Sequence, residues 1–138
     1  MNLSDTHAKV DKSKDLLVQM FEKQTEVEKE FGVVEGVPER LLFGKLEHIS
    51  SPETCKYLHE ILWRMTCEIH ELAVATKNAK TWRQSKYLLD ANEMLDEVAD
   101  VSIYLMNFCL AAGITPEKLT ETVLKKIEVN RQRIKTKY

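Results

Sequence analysis

The chain contains few of the residues that interrupt regular structure. It has four glycines and three prolines among 138 residues, or about 5% together, where an average protein has about 12%. This scarcity argues against a turn-rich β-sandwich or barrel and against a disordered chain. The hydrophobic share is 43% and the charged share is 30%, which suits amphipathic helices. We expect a single domain over residues 1–138, long enough to bury a core without disulfides or a structural metal.

Cysteine is also scarce and lacks the spacing of a ligand set. The three cysteines, Cys55, Cys67 and Cys109, are an odd number and form no CxxC pair. Disulfide frameworks and zinc sites need paired cysteines at short, regular spacings. We therefore predict reduced, mostly buried thiols of the kind found in cytosolic proteins.

The sequence lacks both a strong charge of one sign and a long apolar run. Twenty Lys and Arg stand against 22 Asp and Glu, for a net charge of −2, so neither nucleic acid nor an anionic membrane is expected as the main partner. The longest stretch without a formal charge, Val101–Pro116, has 16 residues and is shorter than the roughly 20 that span a bilayer. The first residues contain no apolar signal-peptide region. These features predict a cytoplasmic protein.

Apolar residues recur at helical spacing in four segments. The first helix is predicted over about 11–30, followed by a connector, 31–51, in which the run LLFGKL can hold a short helical turn. The second helix is predicted over 52–76, the third over 90–113 and the fourth from 116 onward. No segment shows sustained alternation of apolar and polar residues, so no strand is expected. The pattern predicts an all-α fold of the four-helix bundle type.

Three of these helices begin with capping signals. Ser-Pro-Glu at 51–53 and Thr-Pro-Glu at 115–117 each combine a side-chain cap, a proline at the first helical position and an acid in the first turn. Asp90 and Glu93 have the spacing of a capping box, with Asp in place of the usual Ser or Thr. Gly113 is expected to end the third helix.

The second predicted helix carries an acid within its apolar seam. The seam residues follow one another at four, three and four positions: Ile61, Met65, Glu68 and Leu72. Glu71 lies three residues after Glu68, so the two carboxylates point the same way, about 5–6 Å apart at Cβ. An acid in a buried seam is costly unless something neutralises it.

The third predicted helix repeats this arrangement with Glu97 and Asp100. Glu97 shares a face with three apolar or aromatic residues, Val101, Tyr104 and Phe108. If the two helices pack side by side, four carboxylates meet at one point and repel one another by several kcal/mol unless cations are present. All-oxygen ligands suit hard divalent ions such as Mg²⁺, with Mn²⁺ as a substitute. The alternative is that both acid pairs are simply solvated.

The fourth predicted helix has a cationic face. Lys126, Asn130 and Arg133 lie at i, i+4 and i+7, so two cations and an amide line one side. Opposite a carboxylate–metal cluster, this face would suit a triphosphate. The alternative is a basic C-terminal half-helix that complements its own dipole.

Three motifs occur in order: EIHEL at 68–72, DEVADVSIYL at 96–105 and KIEVNRQR at 126–133. Together they resemble the all-α nucleoside triphosphate pyrophosphatase superfamily, which includes MazG-like proteins, dCTP pyrophosphatases and dimeric dUTPases. The resemblance covers residues 52–138 as a motif-bearing core, whereas residues 1–51, the N-terminal helix and connector, are matched only by a long first helix. His70 departs from the motif, since many members have glycine there.

The resemblance implies Mg²⁺-dependent hydrolysis of a (deoxy)nucleoside triphosphate to the monophosphate and pyrophosphate. It assigns the metal ligands as Glu68, Glu71, Glu97 and Asp100, and the phosphate contacts as Lys126 and Asn130 with Arg133 as a helper. We expect Glu68 or Glu71 to orient or deprotonate the water that attacks the α-phosphorus. Short members of this superfamily are homo-oligomers, so the resemblance also implies a MazG-like module completed as a homodimer or homotetramer.

Four further residues are candidates for contacts with the nucleotide. Trp82 resembles the tryptophan after the first acidic motif in phage dCTPases and dimeric dUTPases, where it would stack on the base or close over the phosphates with Arg83 and Lys86. It can equally be a loop aromatic packed on the bundle. Gln24 interrupts the apolar stripe of the first helix and is either a reader of a pyrimidine edge or a polar residue at a subunit interface. A pyrimidine substrate, dCTP or dUTP, is slightly favoured.

The rival interpretation is a non-catalytic helical protein that binds a partner or has a structural role, with its acids solvated or paired with Lys and Arg. It predicts no effect of Mg²⁺ on the melting temperature, whereas a metal bound only by the folded chain raises it.

Overall fold

The computed structural model describes residues 3, 6, 8–76 and 90–136. Within these residues the chain forms five α-helices and one 3₁₀ turn and contains no strand, which confirms the all-α prediction. The elements in chain order are α1 (Leu16–Glu35), α2 (Glu39–Leu42), the 3₁₀ turn (Leu46–His48), α3 (Pro52–Ala75), α4 (Ala91–Ala112) and α5 (Pro116–Lys135).

The helix ends that carry capping signals lie where the sequence predicts them. The side chains of Ser51, Asp90 and Thr115 cap α3, α4 and α5, each accepting a hydrogen bond from a first-turn N–H at 2.9–3.3 Å. Gly113 ends α4 with φ of 78°, a left-handed conformation that glycine adopts without steric cost. These ends are correct because their signals are local.

The first helix is shifted from its predicted position over 11–30. It starts about one turn later because the Asp15 carboxylate caps it, accepting from Val18 N–H at 3.0 Å. The Asp11 side chain instead accepts from the Ser13 backbone N–H and hydroxyl in a turn before the helix. The helix then continues to Gly36, whose φ of 68° ends it. The predicted connector is correspondingly shorter, and its expected helical turn is present as α2.

α4 is the central helix of the fold. Its Ala111 and Ala112 pack with Leu58 and Ile61 of α3, and Tyr104 and Phe108 flank that cluster. On its other side a second cluster joins α4 to Phe21 of α1; its α4 members are Met106 and Cys109. Burying these side chains removes apolar surface from water, so the two clusters hold α1 and α3 against different parts of the α4 surface.

α3 and α4 form the most extensive helix pair and run antiparallel. The first half of α3 meets the end of α4 in the apolar cluster, while Glu68 near the end of α3 meets Glu97 near the start of α4. The connector also crosses close to α4, where Gly44 N–H donates to Leu110 O at 3.0 Å. A Cβ on Gly44 would lie 2.0 Å from Ala111 O, so only glycine fits this crossing. This antiparallel register brings the two acidic motifs together.

The cysteines are only partly as predicted. All three are free thiols; Cys109 is buried, Cys55 is partly buried and Cys67 is exposed. Burial raises the pKa of the Cys109 thiol, which keeps it protonated and unreactive. The prediction of mostly buried thiols is therefore wrong for Cys67, which faces away from the seam of α3.

α5 does not complete a four-helix bundle within one chain. The chain bends by 109° between α4 and α5, and α5 has no buried residue. Only the start of α5 packs on the core, through Leu119, while Val123 and Ile127 of its predicted apolar stripe are 46% and 49% exposed. No single helix in the described part of the chain is long and apolar enough to cross a membrane; α4 and α5 meet that criterion only as a bent pair.

The apolar stripe of α3 is also wider than its buried seam. Leu62 and Ile69 also fit the helical period of apolar residues in α3 but are 40% and 50% exposed. α1 likewise exposes about half of Met20 and Val27. Exposed apolar surface spread over several helices is typical of a subunit whose faces pack on another copy. Self-association stays a prediction.

We predict that the protein sediments as a dimer or larger assembly at micromolar concentration. Ile127→Lys should weaken self-association at least tenfold because it places a charge in the apolar stripe of α5. Gln132→Lys, on the same helix at a polar position, is the control and should leave the sedimentation coefficient unchanged. A monomeric wild-type protein would contradict this prediction.

Candidate metal centre

Three of the four predicted acidic ligands converge between α3 and α4. Glu68, Glu97 and Asp100 each offer one carboxylate oxygen, and these oxygens lie within 4.8 Å of one another. The fourth acid, Glu71, is more exposed and lies close enough to Glu68 and Glu97 to raise the pKa of both by charge repulsion and by a hydrogen bond. The i, i+3 spacings therefore do place the carboxylates at one point.

Two oxygens of this cluster lack a partner. Glu68 Oε2 and Glu97 Oε2 are buried and make no hydrogen bond, and they are the only such side-chain atoms in the described part of the chain. A buried carboxylate oxygen without a partner is destabilising. A divalent cation would satisfy both oxygens, and an all-carboxylate donor set suits Mg²⁺ or Mn²⁺ better than softer metals. The residues present therefore fit the metal that the motifs imply.

The electrostatics of the cluster oppose its full ionisation. Burial is the main cause that raises the pKa of Glu68, and the neighbouring charges of Glu71 and Asp100 raise it further. The pKa of Glu97 is raised in the same way, first by burial and then by Glu71 and Asp100. For Asp100, burial and then the charge of Asp96 raise the pKa. Binding a cation would reverse this preference by favouring the charged forms.

A cavity of about 420 Å³ opens beside the acids. It separates α1 from α3 and has α4 along one side, and its wall includes Glu68 and Asp100 at one end. Aromatic rings contribute to the lining: Phe31 from α1, Tyr57 from α3 and Tyr104 from α4. Burial and the nearby charge of Glu28 raise the pKa of Tyr57 to about 12, so its phenol stays neutral. The other lining residues are mostly polar or charged, five of them acids. A concave site that combines aromatic surface with hydrogen-bonding groups beside a carboxylate cluster suits a small polar ligand.

Gln24 is one of the polar groups in this cavity. Its side chain is 9% exposed, and Nε2 donates to Asn107 Oδ1 at 2.8 Å. Gln24 is thus buried within its own chain and faces the cavity. Asn107 was not among the predicted site residues. The feature of the sequence that marks it is a polar amide within a mostly apolar stretch of α4 that carries no charge.

The remaining candidate residues are not in the cavity wall. Lys126, Asn130 and Arg133 are exposed on α5, and none of them is among the described residues that line the cavity. Trp82, Arg83 and Lys86 lie outside the described residues, so their predicted contacts with the nucleotide stay predictions.

Comparisons with protein-family models, with curated proteins and with solved structures give no match. The family resemblance therefore depends on the three motifs alone.

We predict that, without divalent metal, stability falls as the pH rises above the ordinary glutamate value of 4.5. The folded chain holds these protons more tightly than the unfolded chain, so the loss occurs between the ordinary and the raised pKa. Thermal melts in chelator across this pH range measure it. Glu68→Gln should reduce the slope because one of the titrating groups is gone.

Adding Mg²⁺ or Mn²⁺ at neutral pH should raise the melting temperature. A metal at 100 times its Kd adds about 2.7 kcal/mol, which in a domain of this size corresponds to roughly 10 °C. Asp100→Asn should abolish most of this increase, whereas Asp96→Asn, which removes an exposed charge one turn away, should retain it. An increase of the same size in both variants would place the metal elsewhere.

Proposed function

We propose that the protein is a Mg²⁺-dependent nucleoside triphosphate pyrophosphohydrolase acting on a pyrimidine deoxynucleotide. The observation that carries this proposal is the cluster of three carboxylates, two of them with orphaned buried oxygens, at one end of a cavity lined by aromatic, acidic and amide side chains. The order of the three sequence motifs supports the same reaction.

Glu68, Glu97 and Asp100 would hold the divalent cation. A bound cation of this kind neutralises phosphate charge and makes a water molecule a better nucleophile at neutral pH. The same three carboxylates would be too strongly repulsive to bind a triphosphate by themselves, because both groups are anionic. The cation is therefore required for substrate binding as well as for the reaction.

Glu71 is best placed to act as the general base. It lies outside the group of three converging ligands, and after burial its charge is the next cause that raises the pKa of Glu68 and of Glu97. In the proposed reaction Glu71 accepts a proton from water as the water oxygen bonds to the α-phosphorus. The bond from the α-phosphorus to the bridging oxygen breaks, and pyrophosphate leaves with that electron pair. The products are the nucleoside monophosphate and pyrophosphate.

Among the described residues, the cavity wall supplies one cation, Arg64, whose charge acts on Glu28, so the β- and γ-phosphates need further cations. Lys126, Asn130 and Arg133 have the charge and spacing for this role and are exposed on α5. Since α5 has no buried residue, it is free to pack on a second copy. We propose that the cationic face acts in the homo-oligomer, where α5 and a cavity come together.

The base would occupy the cavity, between the aromatic side chains and near the amide pair of Gln24 and Asn107. Amide groups can both donate to and accept from the edge of a pyrimidine. Such a site would hold the base at a defined distance from Glu68 and Asp100 at the end of the cavity, with the phosphates directed toward these acids.

The test is to incubate the protein with Mg²⁺ and a panel of canonical nucleoside triphosphates, measuring monophosphate and pyrophosphate. We expect at least one pyrimidine deoxynucleotide to be cleaved between the α- and β-phosphates. Glu71→Gln should lower kcat at least a hundredfold because the general base is lost, with the helical circular dichroism signal unchanged.

Glu26→Gln is the matched control, since Glu26 is an exposed acid of α1 that pairs only with Lys23 at the surface. It should retain wild-type kcat. Near-wild-type turnover by Glu71→Gln would remove Glu71 from the reaction. No hydrolysis of any nucleotide by the wild-type protein would favour the non-catalytic helical alternative.

A further inference from the structure

Glu28 is a buried acid that neither the metal centre nor the fold requires. It follows Gln24 by one helical turn on α1, is 7% exposed and lines the same cavity. No hydrogen bond or ion pair engages its carboxylate within the part of the chain that the structure describes. Its oxygens are not among the described side-chain atoms that are fully buried without a partner, so the Glu28 carboxylate is open to the cavity and presents a free hydrogen-bond acceptor there.

The surroundings of Glu28 make this position costly. Burial raises the pKa of the Glu28 carboxyl, and the positive charge of Arg64 offsets this only in part. Within the described residues no ion pair joins Arg64 to Glu28, so Arg64 balances the charge without occupying the carboxylate oxygens. The Glu28 oxygens are open to the cavity, so a donor placed there can bond to them. A ligand in the cavity would supply that donor.

The other polar groups of the wall complete a hydrogen-bonding pattern. Because Gln24 Nε2 donates to Asn107 Oδ1, the Asn107 amide nitrogen keeps its N–H groups for a ligand. Glu28 and Asn107 thus present an acceptor and donors in one cavity. Cytosine carries an amino donor at N4 beside acceptors at N3 and O2, whereas uracil and thymine carry an acceptor at O4 that would face the carboxylate.

We propose that Glu28 is a specificity-determining residue that selects cytosine over uracil. Its carboxylate accepts a hydrogen bond from the N4 amino group of cytosine, while the Gln24–Asn107 pair contacts the other hydrogen-bonding atoms on the same edge of the base. This assignment rests on the proposed function, because it assumes that the base of the proposed nucleotide substrate occupies the cavity. It narrows the substrate from a pyrimidine deoxynucleotide to a cytidine nucleotide.

The test measures binding rather than turnover. Equilibrium dialysis with Mg²⁺ compares dCMP, dUMP and dAMP on the wild-type protein and on Glu28→Gln. We expect the wild-type protein to bind dCMP at least tenfold more tightly than dUMP, because uracil leaves the carboxylate facing an acceptor. Glu28→Gln should reduce that ratio to about one, since an amide can donate to uracil O4 as well as accept from cytosine N4.

Glu30→Gln is the control, because Glu30 is an exposed acid two residues further along α1 and does not line the cavity. It removes the same charge and should leave the dCMP to dUMP ratio unchanged. Thermal melts check folding of Glu28→Gln, which should be at least as stable as the wild type because it no longer buries a charge.

The outcomes separate this inference from the proposed reaction. A wild-type protein that binds none of the three nucleotides, that binds dAMP as tightly as dCMP, or whose ratio is unchanged in Glu28→Gln overturns the role of Glu28. If triphosphates are still cleaved in that case, the proposed hydrolysis stands alone. If dCMP selection depends on Glu28 but no triphosphate is cleaved, the cytosine site stands and the hydrolysis fails.

Discussion

Repulsion among like charges at the α3–α4 contact is the constraint on which the rest of the structure depends. Glu68, Glu97 and Asp100 bring carboxylate oxygens within 4.8 Å of one another, and two of the surrounding oxygens are buried without a partner. The apolar cluster at the other end of the helix pair, built around Ile61 and Ala111, stabilises the register that imposes this repulsion. The fold thus holds three acids where they are unfavourable alone and favourable with a cation.

The carboxylate cluster adjoins a cavity on one side. α1 does not pack tightly on α3; the space between them is the cavity, and α1 contributes Gln24 and Glu28 to its wall. Both side chains are buried; Gln24 is hydrogen-bonded to Asn107, whereas burial disfavours the charged form of Glu28 and raises its pKa. The cavity therefore has Glu68 and Asp100 at one end and Gln24, Glu28 and Asn107 in its wall. This arrangement suits a ligand that has an anionic part and a hydrogen-bonding part.

A single chain leaves much of its apolar surface exposed. α5 packs on the core only at its start, and its stripe through Val123 and Ile127 is about half exposed. The same helix carries Lys126 and Asn130, which the motif assigns to phosphate binding. Packing of α5 on a second copy would bury the stripe and at the same time place cations near a carboxylate cluster. Stability and activity would then depend on the same contact.

Much of the local structure was predictable from the sequence because its signals act over a few residues. Ser51, Asp90 and Thr115 cap helices by bonding N–H groups two or three positions away, and the i, i+3 spacing of each acid pair sets a shared helix face. The start of α1 was misplaced because two nearby acids, Asp11 and Asp15, each offer a local cap or turn, and the sequence alone does not choose between them.

Only the tertiary structure decided which faces are covered. The hydrogen bond between Gln24 and Asn107 joins residues 83 positions apart, and burial of Glu28 depends on where α1 lies against α4. Leu62 and Ile69 match the apolar period of α3 yet remain exposed, because periodicity marks a face without saying what packs on it. Helix ends and acid spacings follow from short-range hydrogen bonding, whereas the cavity, its buried acid and the exposed α5 follow from long-range packing.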